Sequence, residues 1–129
     1  MNTFRKTGLA LLCLYAGSVL PKTASVENPV FITQDTTIEL TEDIIISSKG
    51  SPFIATGSFG QSKVETLIIT SQKGCAIIVS PQGLWDISSF NSSTRTIVFR
   101  GNARLVLQPG AHLHGLGTTL IFAEQSRIE

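Results

Sequence analysis

One short pattern recurs four times along this chain and restricts its folds more than any other feature. A threonine opens each of the apolar stretches TIEL at Thr37, TLII at Thr66, TIVF at Thr96 and TLIF at Thr119. After the first three come a polar break, a second apolar stretch and a Gly-containing turn, in DIIISSKG, CAIIVSPQG and RLVLQPG. The fourth is followed by AEQSRIE alone. From positions 37, 66, 96 and 119 the threonines lie 29, 30 and 23 residues apart. The stretches are rich in β-branched and aromatic residues, which suit a pleated surface. They are too short for helices and are bounded by Gly, Pro and Ser. No window after Pro29 keeps the i, i+3, i+4, i+7 spacing of an amphipathic helix. The fold class expected is therefore all-β.

Side chains alternate between the two faces of a strand. One inward set would be Ile38 and Leu40, Leu67 and Ile69, Ile97 and Phe99, Leu120 and Phe122. A second would be Ile44 and Ile46, Ile77 and Val79, Leu105 and Leu107. Repeats of 20–50 residues mark stacked arrays, in which each unit buries its apolar face only against its neighbours. The expectation is a short parallel β-helix of three to four coils in which Ile38, Leu67, Ile97 and Leu120 stack as one ladder. The segments SPFIATGSFGQS from Ser51 and WDISSFNSS from Trp85 would be outward excursions between coils. An antiparallel β-sandwich is the alternative, with TSQKG and RGNA as hairpin loops. Recurrence of the same ordered pair of strands favours the solenoid, because a sandwich does not require it.

The stretch GNARLVLQPGAHLHGLGTTLIF resembles the coils of secreted right-handed parallel β-helix proteins, the pectate-lyase-like and autotransporter-passenger group. There, short strands alternate with Pro-Gly or Gly-x-Gly corners. The resemblance covers roughly Thr37 to Phe122 and is one of pattern, without a shared catalytic motif. It implies a β-helix exported to the cell surface or beyond, in a group that includes polysaccharide-cleaving enzymes.

The first 25 residues read differently. Arg5 and Lys6 precede an apolar run from Gly8 to Leu20, and small residues follow at Ala24 and Ser25. A basic start, a short apolar run and a small-residue exit form the pattern of a secretory signal peptide. The run is shorter than the roughly 20 apolar residues of a membrane span. The chain thus divides into a leader helix over residues 1–25 and a β-solenoid segment over residues 26–129, secreted or displayed at the cell surface. Loss of Arg5, Lys6 and Lys22 takes the ten basic residues to seven against nine acids, a balance of about −2. No basic cluster remains, which argues against a nucleic-acid partner. Cys75 is then the single cysteine, so the fold must hold by core burial alone. It precedes AIIV and reads as a small apolar side chain.

Residues that could carry chemistry are few. His112 and His114 sit at i and i+2 on one strand face around an inward Leu113, and a metal would need further donors. The acids are scattered, and no pair meets the two-carboxylate template of glycoside hydrolysis. There is no G-x-S-x-G nucleophile turn and no phosphate-binding Gly-Lys-Ser/Thr loop. Trp85 could stack on a sugar if exposed, although tryptophan is more often buried as an anchor. Trp85, His112 and His114 are therefore the candidate ligand contacts, and neither a catalytic set, a metal nor a cofactor is expected. The expected function is an exported, non-catalytic structural or adhesive surface, with a glycan or host surface as ligand. A truncated carbohydrate-binding or polysaccharide-cleaving β-helix is the alternative. The fourth unit halts after its first strand, so the array is expected to be incomplete, a fragment or the start of a longer array, and to self-associate or pack into such an array through its C-terminal coil. The outward residues Ile68, Val98 and Ile121 would form an apolar stripe unless a loop or partner covers them.

Overall fold

The computed structural model describes residues 24–55, 64–87, 96–115 and 117–129, together with the backbone of residues 18–19. Of the leader helix expected over residues 1–25, Ser18–Val19 is instead a paired strand and Ala24 and Ser25 are not helical, while the other residues lie outside the described ones.

Almost every described element is a short strand. In chain order they are β1 (Ser18–Val19), β2 (Val30–Ile32), β3 (Thr36–Glu39), β4 (Ile44–Ile46), β5 (Lys49–Gly50), β6 (Phe53–Ala55) and β7 (Thr66–Ser71). There follow β8 (Ala76–Val79), β9 (Leu84–Asp86), β10 (Thr96–Gly101), β11 (Arg104–Leu107), β12 (His112–His114), β13 (Thr119–Phe122) and β14 (Arg127–Ile128). They pair in four sheets. Sheet I has the order β1-β3-β7-β10-β13, sheet II β14-β11-β8-β4, sheet III β12-β9-β5 and sheet IV β2-β6. Every pairing is parallel. Parallel neighbours cannot be joined by a tight hairpin. The chain instead visits sheets I, II and III in the same order on each pass, which gives a solenoid-like parallel β fold and excludes the antiparallel sandwich.

Register explains the core. In sheet I, Leu67, Ile97 and Leu120 are aligned, as are Ile69, Phe99 and Phe122. In sheet II, Ile44, Ile77, Leu105 and Ile128 form one ladder, and Ile46, Val79 and Leu107 the next. In sheet III, Gly50, Trp85 and Leu113 are aligned. Apart from the half-exposed Ile128, these inward side chains join in one apolar cluster between the sheets. The rings of Phe99 and Phe122 stack with centroids 5.0 Å apart.

One expected alignment is displaced. Ile38 pairs with Ile69, and Thr36 takes the place beside Leu67. The ladder is therefore Thr36, Leu67, Ile97 and Leu120. The shift is two residues, so Ile38 still points inward and is buried; a slip of one would have turned the whole strand inside out. The cause is visible at the strand start. Asp35 Oδ1 accepts the backbone N–H groups of Glu65 (2.7 Å) and Thr66 (3.2 Å), which fixes Asp35 beside the first residue of β7.

The expected excursions are also corrected in part. Residues 51–55 are not an outward loop: Ser51, Pro52 and Phe53 are buried, and Phe53–Ala55 forms β6 against β2. Trp85 belongs to β9, and Ile87 after it is buried. The remaining parts of both segments, residues 56–63 and 88–95, lie outside the described residues.

Candidate functional site

The outward face of sheet I is the surface on which the repeat concentrates like side chains. Three rows cross it. Thr66, Thr96 and Thr119 are in register, and Thr37, Ile68, Val98 and Ile121 form the next row. Glu39, Thr70 and Arg100 form the third. Neighbours within a row, on adjacent parallel strands, lie roughly 4.8 Å apart, and successive rows about 6.6 Å apart along the strands. The result is a regular grid of hydroxyls, methyl-bearing aliphatics and a few charges. Ile121 is 44% exposed, while Ile68 and Val98 are half-buried. A cleft of about 340 Å³ opens on this face, lined by Asp35, Thr36, Thr37, Thr66 and Ile68. Sheet II presents a parallel row of Ile45, Ile78 and Val106, with Ile45 59% exposed.

The candidate ligand contacts fall in sheet III. Trp85 is fully buried, its indole N–H donates to Ser51 Oγ at 3.0 Å, and its ring meets Phe99 edge-on at 6.4 Å. It anchors the core and has no face open to a sugar, so the anchor reading is the one that fits its position. His112 and His114 are exposed on β12, with Leu113 turned inward between them. They are in register with Leu84 and Asp86. Among the described residues no group of three or more His, Cys, Asp or Glu side chains is placed to hold a metal ion. Cys75 is half-buried against the core, and its backbone N–H donates to Ser71 Oγ.

The scattered acids have a use that the sequence did not suggest. At the corners, a carboxylate of one coil accepts a backbone N–H of its neighbour. Glu39 takes the N–H of Gln72 (3.0 Å), Asp43 that of Ala76 (2.9 Å) and Glu124 that of Gly101 (2.7 Å), beside the two amides held by Asp35. Corner amides cannot join the sheet ladders and need partners of their own, and ionised acceptors make the stronger bonds. The partners lie 23 to 33 residues away in sequence, so no local pattern announces them. Ser71 does similar work with its hydroxyl, donating to Leu40 O.

The last coil is tied down by charge. Glu124 bridges to Arg100, and Glu129 to Arg104 and Arg127. The Gly101 amide, and then Arg100, hold the Glu124 carboxyl below its ordinary value of 4.5. The hydrogen bond from Arg127 does most to lower that of Glu129. A folded-state value below the unfolded one gives stability that is complete above about 4.5 and is lost as pH falls through the folded value. The last coil is therefore expected to loosen selectively in acid. Amide exchange should show the N–H groups of Gly101 and Glu129 losing protection below the ordinary carboxylate range while that of Ile69 keeps it. Equal loss at all three would place the acid sensitivity elsewhere.

No family model, curated protein or solved structure matches this chain.

Proposed function

We propose that the chain is an exported, non-catalytic structural or adhesive β-solenoid segment, and that its working surface is the outer face of sheet I. The observation that carries this reading is the grid of threonine and aliphatic rows on that face. A stiff sheet presents such a grid without ordering cost at the moment of contact, which favours binding by shape and many weak contacts. The leader-like pattern of Arg5, Lys6 and the apolar run to Leu20 supports export. Kinship with secreted parallel β-helices remains part of this proposal, since fold alone does not fix function.

Carbohydrate binding is the second reading, and the cleft beside Asp35 favours it. A threonine-lined cleft could accept sugar hydroxyls, with Ile68 as the apolar floor. Cleavage has less behind it, because Asp35 already accepts two backbone amides.

Binding of the purified chain to a panel of glycans and matrix proteins tests the proposal. The expected result is retention on at least one member, abolished by replacing Ile68 and Val98 together with lysine while the circular dichroism spectrum is kept. Binding that survives this double replacement would remove sheet I from the reading. Release of sugar products from a polysaccharide would replace adhesion with catalysis.

A further inference from the structure

The cleft on sheet I is a product of the register between β3 and β7. Thr36 lies beside Leu67, so Asp35 comes beside Thr66 and heads the row that continues through Thr96 and Thr119. Thr37 and Ile68 are aligned in the next row. Asp35, Thr37, Thr66 and Ile68 thus form a square of outward side chains, since alternate residues of a strand share a face. One strand further along, the equivalent square is Thr66, Thr96, Ile68 and Val98, which carries no charge. The carboxylate belongs to one place in the repeat, and the cleft opens there. Its groups differ in what they have left to offer. Both amides bound by Asp35 go to Oδ1. Among the described residues Oδ2 has no partner, and neither have the hydroxyls of Thr37 and Thr66. Thr36 is buried, and its hydroxyl donates to Gln34 O. The cleft therefore offers a fixed carboxylate oxygen that only accepts, two hydroxyls that donate or accept, and the apolar side chain of Ile68. No described residue that lines it is basic.

We infer that this cleft takes a neutral pyranose sugar and discriminates against the matching uronic acid. The inference rests on the carbohydrate reading of the cleft and adds to it the charge class of the sugar. Its volume of about 340 Å³ is at the small end of the range of about 300–1,000 Å³ for ligand pockets, which suits a single ring. A pyranose presents hydroxyls around an apolar C–H face. Its hydroxyls can donate to Oδ2 of Asp35 and exchange hydrogen bonds with Thr37 and Thr66, while the C–H face rests on Ile68. The bond to the ionised acceptor is the strongest of these. A carboxyl group on the sugar would bring a second negative charge beside Asp35, with no lining cation to offset it. Asp35 is then the specificity-determining residue, and its two oxygens divide the work. Oδ1 holds the register of β7, and Oδ2 faces the choice of ligand.

This division makes the inference testable without unfolding the corner. Asp35→Asn keeps an oxygen to accept the N–H groups of Glu65 and Thr66 and removes the charge. The isotope-labelled chain is titrated with oligomers of glucose, galactose and mannose and with oligomers of the matching uronic acids. Binding is read by NMR at the backbone amides of Thr37, Thr66 and Ile68. At least one neutral oligomer is expected to shift these amides, with its uronic acid counterpart weaker by about fivefold or more. Asp35→Asn should bring the two close to equal affinity, with cooperative melting retained. Thr37→Val leaves the carboxylate in place and should weaken the neutral oligomer several-fold. A uronic acid that binds at these amides as tightly as its neutral counterpart would overturn the inference and leave the carbohydrate reading standing. So would discrimination that survives Asp35→Asn, or neutral binding that Thr37→Val does not weaken. If no saccharide shifts these amides, the carbohydrate reading of the cleft falls, and the inference with it.

Discussion

Replacing Trp85 with alanine is expected to cost about 3–5 kcal/mol, as large as any single side-chain truncation in this fold. The residue sits on β9 between Gly50 and Leu113 in the ladder of sheet III, so its ring is enclosed by the strands on either side. It is fully buried and meets Phe99 edge-on across the core. On one side of the ladder nothing can fill the space it would leave, since Gly50 has no side chain and is pressed against Val26. The cavity would persist, and a persistent cavity adds to the lost transfer free energy. The indole N–H is a smaller part of the cost. Ser51 Oγ, which accepts it, also donates to Phe53 O and accepts from Phe53 N, so it keeps two partners when the indole is gone. Trp85→Phe, which keeps much of the volume and loses that bond, should therefore cost less than half as much. Urea unfolding followed by circular dichroism measures both variants. Because Trp85 is the one tryptophan, its fluorescence in the parent chain reports on this site alone and should be that of a buried indole. A loss below about 1 kcal/mol for Trp85→Ala would mean that the pocket collapses freely, against the enclosure just described.

The parts of this fold that can be read from the residues are those set by strand alternation. Ile44 and Ile46, Ile77 and Val79, and Leu105 with Leu107 are apolar at alternate positions, and their register in sheet II is the one that alternation predicts. Sheet III is harder to see. Its strands are KG, LWD and HLH, two or three residues long, and acquire their identity only by lying beside one another. Phe53 was hidden for a related reason. Ser51 and Pro52 before it, and Gly57 and Gly60 after it, carry the composition of a loop, whereas tertiary packing puts Phe53 and Ala55 inward against β2. The displacement of Ile38 came from giving weight to the threonines. Thr37 resembles Thr66 in sequence, but a hydrogen-bonded carboxylate at Asp35 decides the register, and it acts across 30 residues. The outer face of sheet I was legible as an apolar stripe. So was the row of Thr66, Thr96 and Thr119, which the repeat itself aligns; the cleft was not, because it depends on the register at Asp35.

Gly83→Ala should rival Trp85→Ala in effect although it adds a single methyl group. A Cβ at Gly83 would lie 2.1 Å from the carbonyl oxygen of Ile46 and 3.0 Å from its carbonyl carbon. Both are backbone atoms of the neighbouring coil, so no side-chain rotation relieves the clash. The glycine is needed here for close approach, and the turn that delivers it explains why. Gly83 N–H closes the turn 80–83 on Ser80 O at 2.8 Å, and Ser80 N–H is itself bonded to Ile46 O at 3.0 Å. The turn is thus folded tightly onto the end of β4, and the next strand starts at once. Moving it outward to admit the methyl group would strain or break the bonds of Ser80 N–H to Ile46 O, Leu84 N–H to Ser48 O and His112 N–H to Gly83 O, which link three coils at this corner. Overpacking costs about 1–3 kcal/mol where neighbours can yield, and each ladder bond lost adds about 1 kcal/mol. A destabilisation of roughly 3–5 kcal/mol is expected from the two together. Gly117→Ala provides the contrast. Nothing lies within 4 Å of its Cβ position, so only its φ of +82° opposes a side chain, and the cost should be nearer 1 kcal/mol. Denaturant midpoints for the two variants decide the matter. Equal midpoints would mean that the corner at Gly83 yields, and that the coils are less tightly stacked there than the bonds to Ile46 and Ser48 imply.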